Sequence, residues 1–138
     1  MALQQGATDA FATGLMNGVY NFTSGSFKMA LYTGAATLGP DTAVYTSANE
    51  ISATGYTAGG IALPVSVAPI SANNVSYISF SNVTWYGPLT ARGALIYQSG
   101  GSNPTVCVLD FGSDKTSVAS FTVQFPTANS TNAIIRIS

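Results

Sequence analysis

The chain has 138 residues, 46% of them hydrophobic and only 7% charged, with no histidine and a formal net charge of -1. A disordered chain pairs low hydrophobicity with high net charge, so this composition excludes one. The missing histidine excludes Ser-His and Cys-His nucleophiles, and the four scattered bases, Lys28, Arg92, Lys115 and Arg136, cannot build a nucleic-acid-binding stripe.

The first element is a weak amphipathic helix. Between Ala7 and Asn17, the apolar Ala10, Phe11, Leu15 and Met16 recur at helical spacing. Thr8 or Asp9 can cap its start and Gly18 can end it. A helix this short is marginal alone, so residues 1–25 are read as a helix or arm that packs on the body or on a partner. Residues 26–138 are read as one β domain.

From Ser26 the period is two. Phe27, Met29 and Leu31 alternate with Lys28, Ala30 and Tyr32, which makes a strand. Ile61, Leu63, Val65 and Val67 alternate with Ala62, Pro64, Ser66 and Ala68. Pro64 cannot donate to a ladder, which places that strand at an edge or on a bulge. The segments 77–80 and 83–86 change phase across Ser81-Asn82, a turn or bulge. Further strands are expected over 91–97, over 106–111 (apolar on both faces, hence central), over 121–125 and at Ile135 and Ile137. Ser99 to Pro104 and Gly112 to Lys115 have the composition of hairpin loops. Seven or eight short strands at this spacing predict an all-β antiparallel sandwich, jelly-roll or immunoglobulin-like, behind a short N-terminal helix.

Residues 34–60 fit this pattern poorly. The stretch is rich in Gly, Ala, Thr and Ser, with Tyr45, Glu50, Ile51 and Tyr56 as spaced anchors and a short strand expected near Val44 and Tyr45. Long loops in compact domains are usually functional, so this one is read as a contact surface, with a solvated loop as the alternative.

Little in the chain points to chemistry. The lone Cys107 lies in an apolar strand and reads as a buried, inert thiol. One cysteine without histidine excludes a structural zinc site within one chain. The five acids, Asp9, Asp41, Glu50, Asp110 and Asp114, form no calcium loop, and Asp9 and Asp114 suit a helix start and a turn. No cofactor, metal or enzymatic activity is expected. Arg92 lies among apolar residues in a strand, which calls for a buried carboxylate, Glu50 or Asp110, as a structural brace. Trp85-Tyr86-Gly87-Pro88 reads as a strand end entering a turn. Its aromatics, with Phe11, Leu15, Met16, Tyr45 and Tyr56, are the candidate interface residues, the alternative for the aromatics being a core cap. The Asn-X-Ser/Thr triplets at Asn21, Asn74, Asn82 and Asn129 are expected by chance in so Asn-, Ser- and Thr-rich a chain. The first residues carry no basic, apolar export pattern, and no run of about 20 apolar residues follows. Neither a membrane nor an export route is expected.

An ordered series of segments carries a resemblance. Phe27-Lys28-Met29-Ala30-Leu31-Tyr32-Thr33 is followed by Tyr45-Thr46-Ser47-Ala48-Asn49-Glu50 and by Gly55-Tyr56-Thr57-Ala58-Gly59-Gly60. Then come Val83-Thr84-Trp85, Ala91-Arg92-Gly93-Ala94-Leu95-Ile96-Tyr97 and Val108-Leu109-Asp110-Phe111-Gly112. From Phe27 onward the chain resembles small virion proteins of tailed bacteriophages. The resemblance implies a particle component made in the host cytoplasm: a capsid cement (decoration) protein, or alternatively a tail or fibre part. The cement reading brings a homotrimer seated on the major capsid protein, with residues 1–22 reaching onto a neighbour. The tail reading brings other tail proteins as partners, and host glycans met through Trp85 and Tyr86.

Overall fold

The computed structural model describes residues 3–125 and 135–137, and it is an all-β sandwich with one short helix. After strand β1 (Gly6–Ala7) comes helix α1 (Asp9–Asn17). The strands β2 (Phe27–Tyr32), β3 (Ile61–Ala62), β4 (Val65–Ala72), β5 (Val75–Phe80) and β6 (Val83–Tyr86) follow. Then come β7 (Leu89–Gln98), β8 (Thr105–Ser117), β9 (Ser120–Val123) and β10 (Ile135–Ile137). They form three antiparallel sheets, in the orders β1-β8-β7-β2-β3, β10-β5-β4 and β6-β9.

The helix starts and stops where its sequence dictates. Thr8 is the N-cap, its hydroxyl accepting from the Phe11 N–H at 3.1 Å, which satisfies one of the orphan donors of the first turn. Gly18 takes the left-handed conformation (φ 71°) that closes the last turn. Gly14 is required for packing, since a Cβ there would lie 2.3 Å from the Tyr20 ring.

Strands β5, β6 and β7 run successively along one side of a ribbon, and β10, β9 and β8 pair with them in turn. The molecule is therefore built around one long hairpin, closed by the loop 99–104 and bent as it passes between sheets. One bend is Gly87-Pro88, where the Gly87 N–H donates to the Ala119 carbonyl and the Ser117 hydroxyl to the Gly87 carbonyl. The other is Ser81-Asn82, the site of the phase change in the sequence.

The large core lies between the layers. It takes Phe27, Met29 and Leu31 from β2, Ala94 and Ile96 from β7, and Val106 and Cys107 from β8. Facing them are Ile78 and Phe80 from β5, Val83 and Trp85 from β6, and Phe121 and Val123 from β9. Val106 and Cys107 are neighbours in sequence yet share this core, because the ladder slips one residue between the Ile96–Cys107 and Tyr97–Thr105 pairs. Fully burying each Val, Leu, Ile, Phe or Met of this core is worth about 1.5–3 kcal/mol of transfer free energy. A second, smaller core covers the opposite face of the five-stranded sheet: Ala30, Tyr32, Leu95, Tyr97 and Val108 lie under Leu3, Ala36 and Leu38. That second cover explains why β2 and the middle of β7 and β8 are apolar on both faces.

Several expectations change. Residues 3–22 are no free arm, because Leu3, Phe11, Tyr20 and Phe22 are buried in the body's own cores and β1 pairs with β8. A boundary at residue 25 therefore divides one packed unit. The expected single strand across Pro64 is two strands, β3 and β4, each at the edge of a different sheet. Gly112 to Lys115 is not a hairpin loop. It lies within β8, where the four residues Phe111 to Asp114, between the Ala91–Lys115 and Gly93–Asp110 pairs, face Arg92 alone as a bulge, and the reversal comes later, at Val118-Ala119. The expected strand at Val44 is a single bridge to Pro104. Asn129 lies outside the described residues.

Candidate interaction surface

The excursion 34–60 wraps the outer edge of the five-stranded sheet. Its Glu50 and Ile51 continue the edge that β3 begins: Glu50 bridges Tyr32, and the Ile51 N–H donates to the Leu31 carbonyl at 3.0 Å. Gly60 sits where a Cβ would fall 1.9 Å from the Met29 carbonyl oxygen, with φ +89°, so only glycine lets the chain pass that close.

Glu50 is the knot of this wrap. One carboxylate oxygen accepts from the Tyr45 hydroxyl at 2.5 Å, and the other from the Tyr56 hydroxyl and from the Gly59 N–H at 2.8 Å. Tyr45 stacks on Tyr97 (centroids 4.9 Å apart), whose hydroxyl donates to the Gly59 carbonyl, while Tyr32 donates to the Thr46 carbonyl. Burial, then the nearby Glu50 charge, push the Tyr32 phenol well above the ordinary range. Burial and the hydrogen bond to Glu50 do the same for Tyr45 and Tyr56. The anchors expected from the sequence thus hold the excursion against its own sheet.

Of the expected interface residues, three are committed to the interior. Phe11, Tyr56 and Trp85 are 4%, 8% and 4% exposed and belong to the main core, so they offer nothing to a partner. Trp85 meets Phe121 edge-on in that core, which is the core-cap alternative. Tyr45 is half-buried against Tyr97. Met16 and Tyr86 are strongly exposed, at 83% and 75%, and Leu15 partly so.

Val19, Val44, Ile70 and Val118 are also exposed, and the sequence reading missed them because each sits in a polar or turn-like stretch. Two groupings follow from the fold. Leu15, Met16 and Val19 mark the end of α1, beside a groove of about 200 Å³ walled by Phe11, Phe22, Pro69, Ile78 and Ile135. Tyr86 and Val118 flank the Gly87–Ala119 bend at one end of the sandwich. A hollow of about 260 Å³ beside Tyr86 is lined by Gly55, Thr57, Gly60, Ile61, Thr84 and Trp85.

Of the two expected partners, Arg92 meets Asp110, 3.7 Å from its Nε. That Nε is buried while the two side chains are 36% and 29% exposed, so the pair is only part-buried, and Glu50 belongs to the tyrosines instead. Cys107 is buried, and that burial pushes its thiol up to about 12, as an inert thiol requires. Among the described residues no three acids and cysteines come together as metal ligands, and no helix is long and apolar enough to cross a membrane. No family model, curated protein or solved structure matches the chain.

Proposed function

We propose that this protein is a non-enzymatic structural component of a tailed-bacteriophage particle, a capsid cement protein seated between shell subunits. The observation that carries the reading is large apolar side chains left outside both cores, Met16, Tyr86 and Val118 foremost, on a domain with so few charges. Such a surface has little charge repulsion against close neighbours, and buried aromatic and methionine contacts are the usual anchors of interfaces. The ordered sequence resemblance from Phe27 onward supports the same reading. On this proposal the partners are further copies of the chain, as a homotrimer, and the major capsid protein, with neither nucleic acid nor membrane engaged. Closed threefold assembly would also cover sheet edges that otherwise invite unwanted pairing.

The test is copy number in purified particles, by quantitative mass spectrometry against the major shell protein. A number comparable to the shell protein supports cement, and absence from particles ends the reading. A few copies per particle favours the second reading, a tail or fibre part contacting host glycan. One observation speaks for that alternative: the exposed Tyr86 ring stands beside an uncharged hollow bearing the Thr57 and Thr84 side chains and two glycines, a setting suited to a sugar face.

A further inference from the structure

Among the described residues, no strand pairs with the outer edge of the two-stranded sheet. Strand β9 pairs with β6 through Val83–Val123, Thr84–Thr122, Trp85–Phe121 and Tyr86–Ser120. The Gly87 N–H donates to the Ala119 carbonyl just beyond. Hydrogen-bonded and non-bonded pairs alternate in an antiparallel ladder, so Phe121 and Val123 are the residues bonded to β6. The backbone N–H and C=O groups of Ser120, Thr122 and Gln124 therefore face away from it.

These residues, together with Phe121 and Val123, line a cleft of about 480 Å³. Its other wall is the part of β8 that β1 does not reach: β1 pairs only with Cys107 and Val108, whereas the cleft is lined by Phe111, Lys115 and Thr116. Phe111 and Phe121 meet across it, 6.0 Å between centroids, and make an apolar floor. Among the described residues of the lining Lys115 is the one charged side chain, and it is exposed with no acidic partner among them.

We propose that this cleft is a docking slot for one extended segment of a partner polypeptide, which adds as a strand to β9 and sets an acidic side chain against Lys115. Main-chain pairing to an open edge supplies affinity, and alternate side chains supply selectivity. A strand of the length of β9 spans about 13 Å at about 3.3 Å per residue, so the segment needs roughly four to six residues. A second copy's β9 fits less well. It would bring its own paired strand and sheet into a slot walled by β8, whereas a lone segment needs only one strand spacing, about 4.8 Å. The proposal deepens the structural-component reading by naming how a partner is held, and rests on it for the partner being a protein.

Amide hydrogen exchange on the whole protein is the first test. Ser120, Thr122 and Gln124 should exchange fast while Phe121 and Val123 are protected, at low and high protein concentration alike. The binding probe is an acetylated, amidated hexapeptide alternating Thr and Val with one central Glu. It should slow exchange at those three amides. N-methylating the peptide amides that face β9 should weaken binding at least about tenfold, as should Thr122→Pro, while methylating the opposite set should not. Thr122→Pro leaves the β6 ladder intact because its N–H points outward, and an unchanged melting temperature verifies that. Lys115→Gln should weaken the Glu peptide and leave its Gln counterpart unaffected. Equal protection of all five amides, protection that rises with protein concentration alone, indifference to the methylation phase, or no binding of the hexapeptide would each overturn the slot. Particle copy number is independent of all four, so the slot can fail while the cement reading stands.

Discussion

Tyr45 and Tyr56 share one acceptor: the first donates to one oxygen of Glu50, the second to the other. The carboxylate thereby ties both ends of a loop that would otherwise have to order itself on weak, Gly- and Ser-rich contacts. Glu50→Gln replaces an acceptor oxygen with a donor facing donors. It should lower stability by about 2–4 kcal/mol, since hydrogen bonds to a charged group are worth about 1.5–3 each and a buried donor left unpaired adds its own cost. Urea denaturation measures it. Tyr45→Phe and Tyr56→Phe should combine non-additively in a double-mutant cycle, and strict additivity would show that Glu50 does not couple them.

Burial of the Tyr32 and Tyr56 phenols and of the Cys107 thiol sets the alkaline limit. An unfolded chain gives up a phenol proton near its ordinary 10.0 and the thiol proton near 9.0, while the fold holds those of Tyr32, Tyr56 and Cys107 to higher pH. Folded values raised above unfolded ones mean that this stability is complete below about pH 9 and is lost as pH rises. The slope should approach about 4 kcal/mol per pH unit above pH 10, about 1.4 for each of the three protons. Melting temperature against pH, followed with tyrosinate absorbance, checks it. A flat profile to pH 11 would contradict the burial of these groups.

Arg92→Ala should cost little, about 0–1 kcal/mol, because its contact with Asp110 is long and solvent reaches both side chains. Chemical denaturation decides this. A loss above about 3 kcal/mol would restore the buried-brace expectation.

Met16→Ser and Tyr86→Ser should leave the melting curve within about 0.5 kcal/mol of the parent, as substitutions away from the core do. On the cement reading they should nevertheless reduce retention on purified particles, most of all when combined. Full occupancy by the double variant would mean that neither patch meets the shell.

Local signals were the legible ones. Thr8 and Gly18 bracket the helix because capping is chemistry of a few neighbouring atoms. The strand at Phe27–Tyr32 shows its period, and the phase change at Ser81-Asn82 marks a bend between sheets. What stayed hidden depends on distant segments. Trp85 and Tyr86 look equivalent in the sequence, and only the position of β9 and the main core turns one inward and the other out. Gly112 to Lys115 has turn composition, yet β7 continues beside it and makes it a bulge. Arg92 has apolar neighbours along the chain, yet it lies opposite the bulge and its side chain is 36% exposed beside Asp110.

In the N-terminal segment, the Thr8 N–H donates to the Val106 carbonyl and β1 lies on Cys107 and Val108. The partners of Thr8 in β8 lie 97 and 98 residues further along the chain, so this segment must wait for β8 before it can pair. Loop closure over such separations is slow, and folds dominated by them take milliseconds to seconds. Stopped-flow refolding should show burial of Phe11 and Tyr20 as a late event, with apolar side chains of the nascent chain open to chaperones until β8 is made.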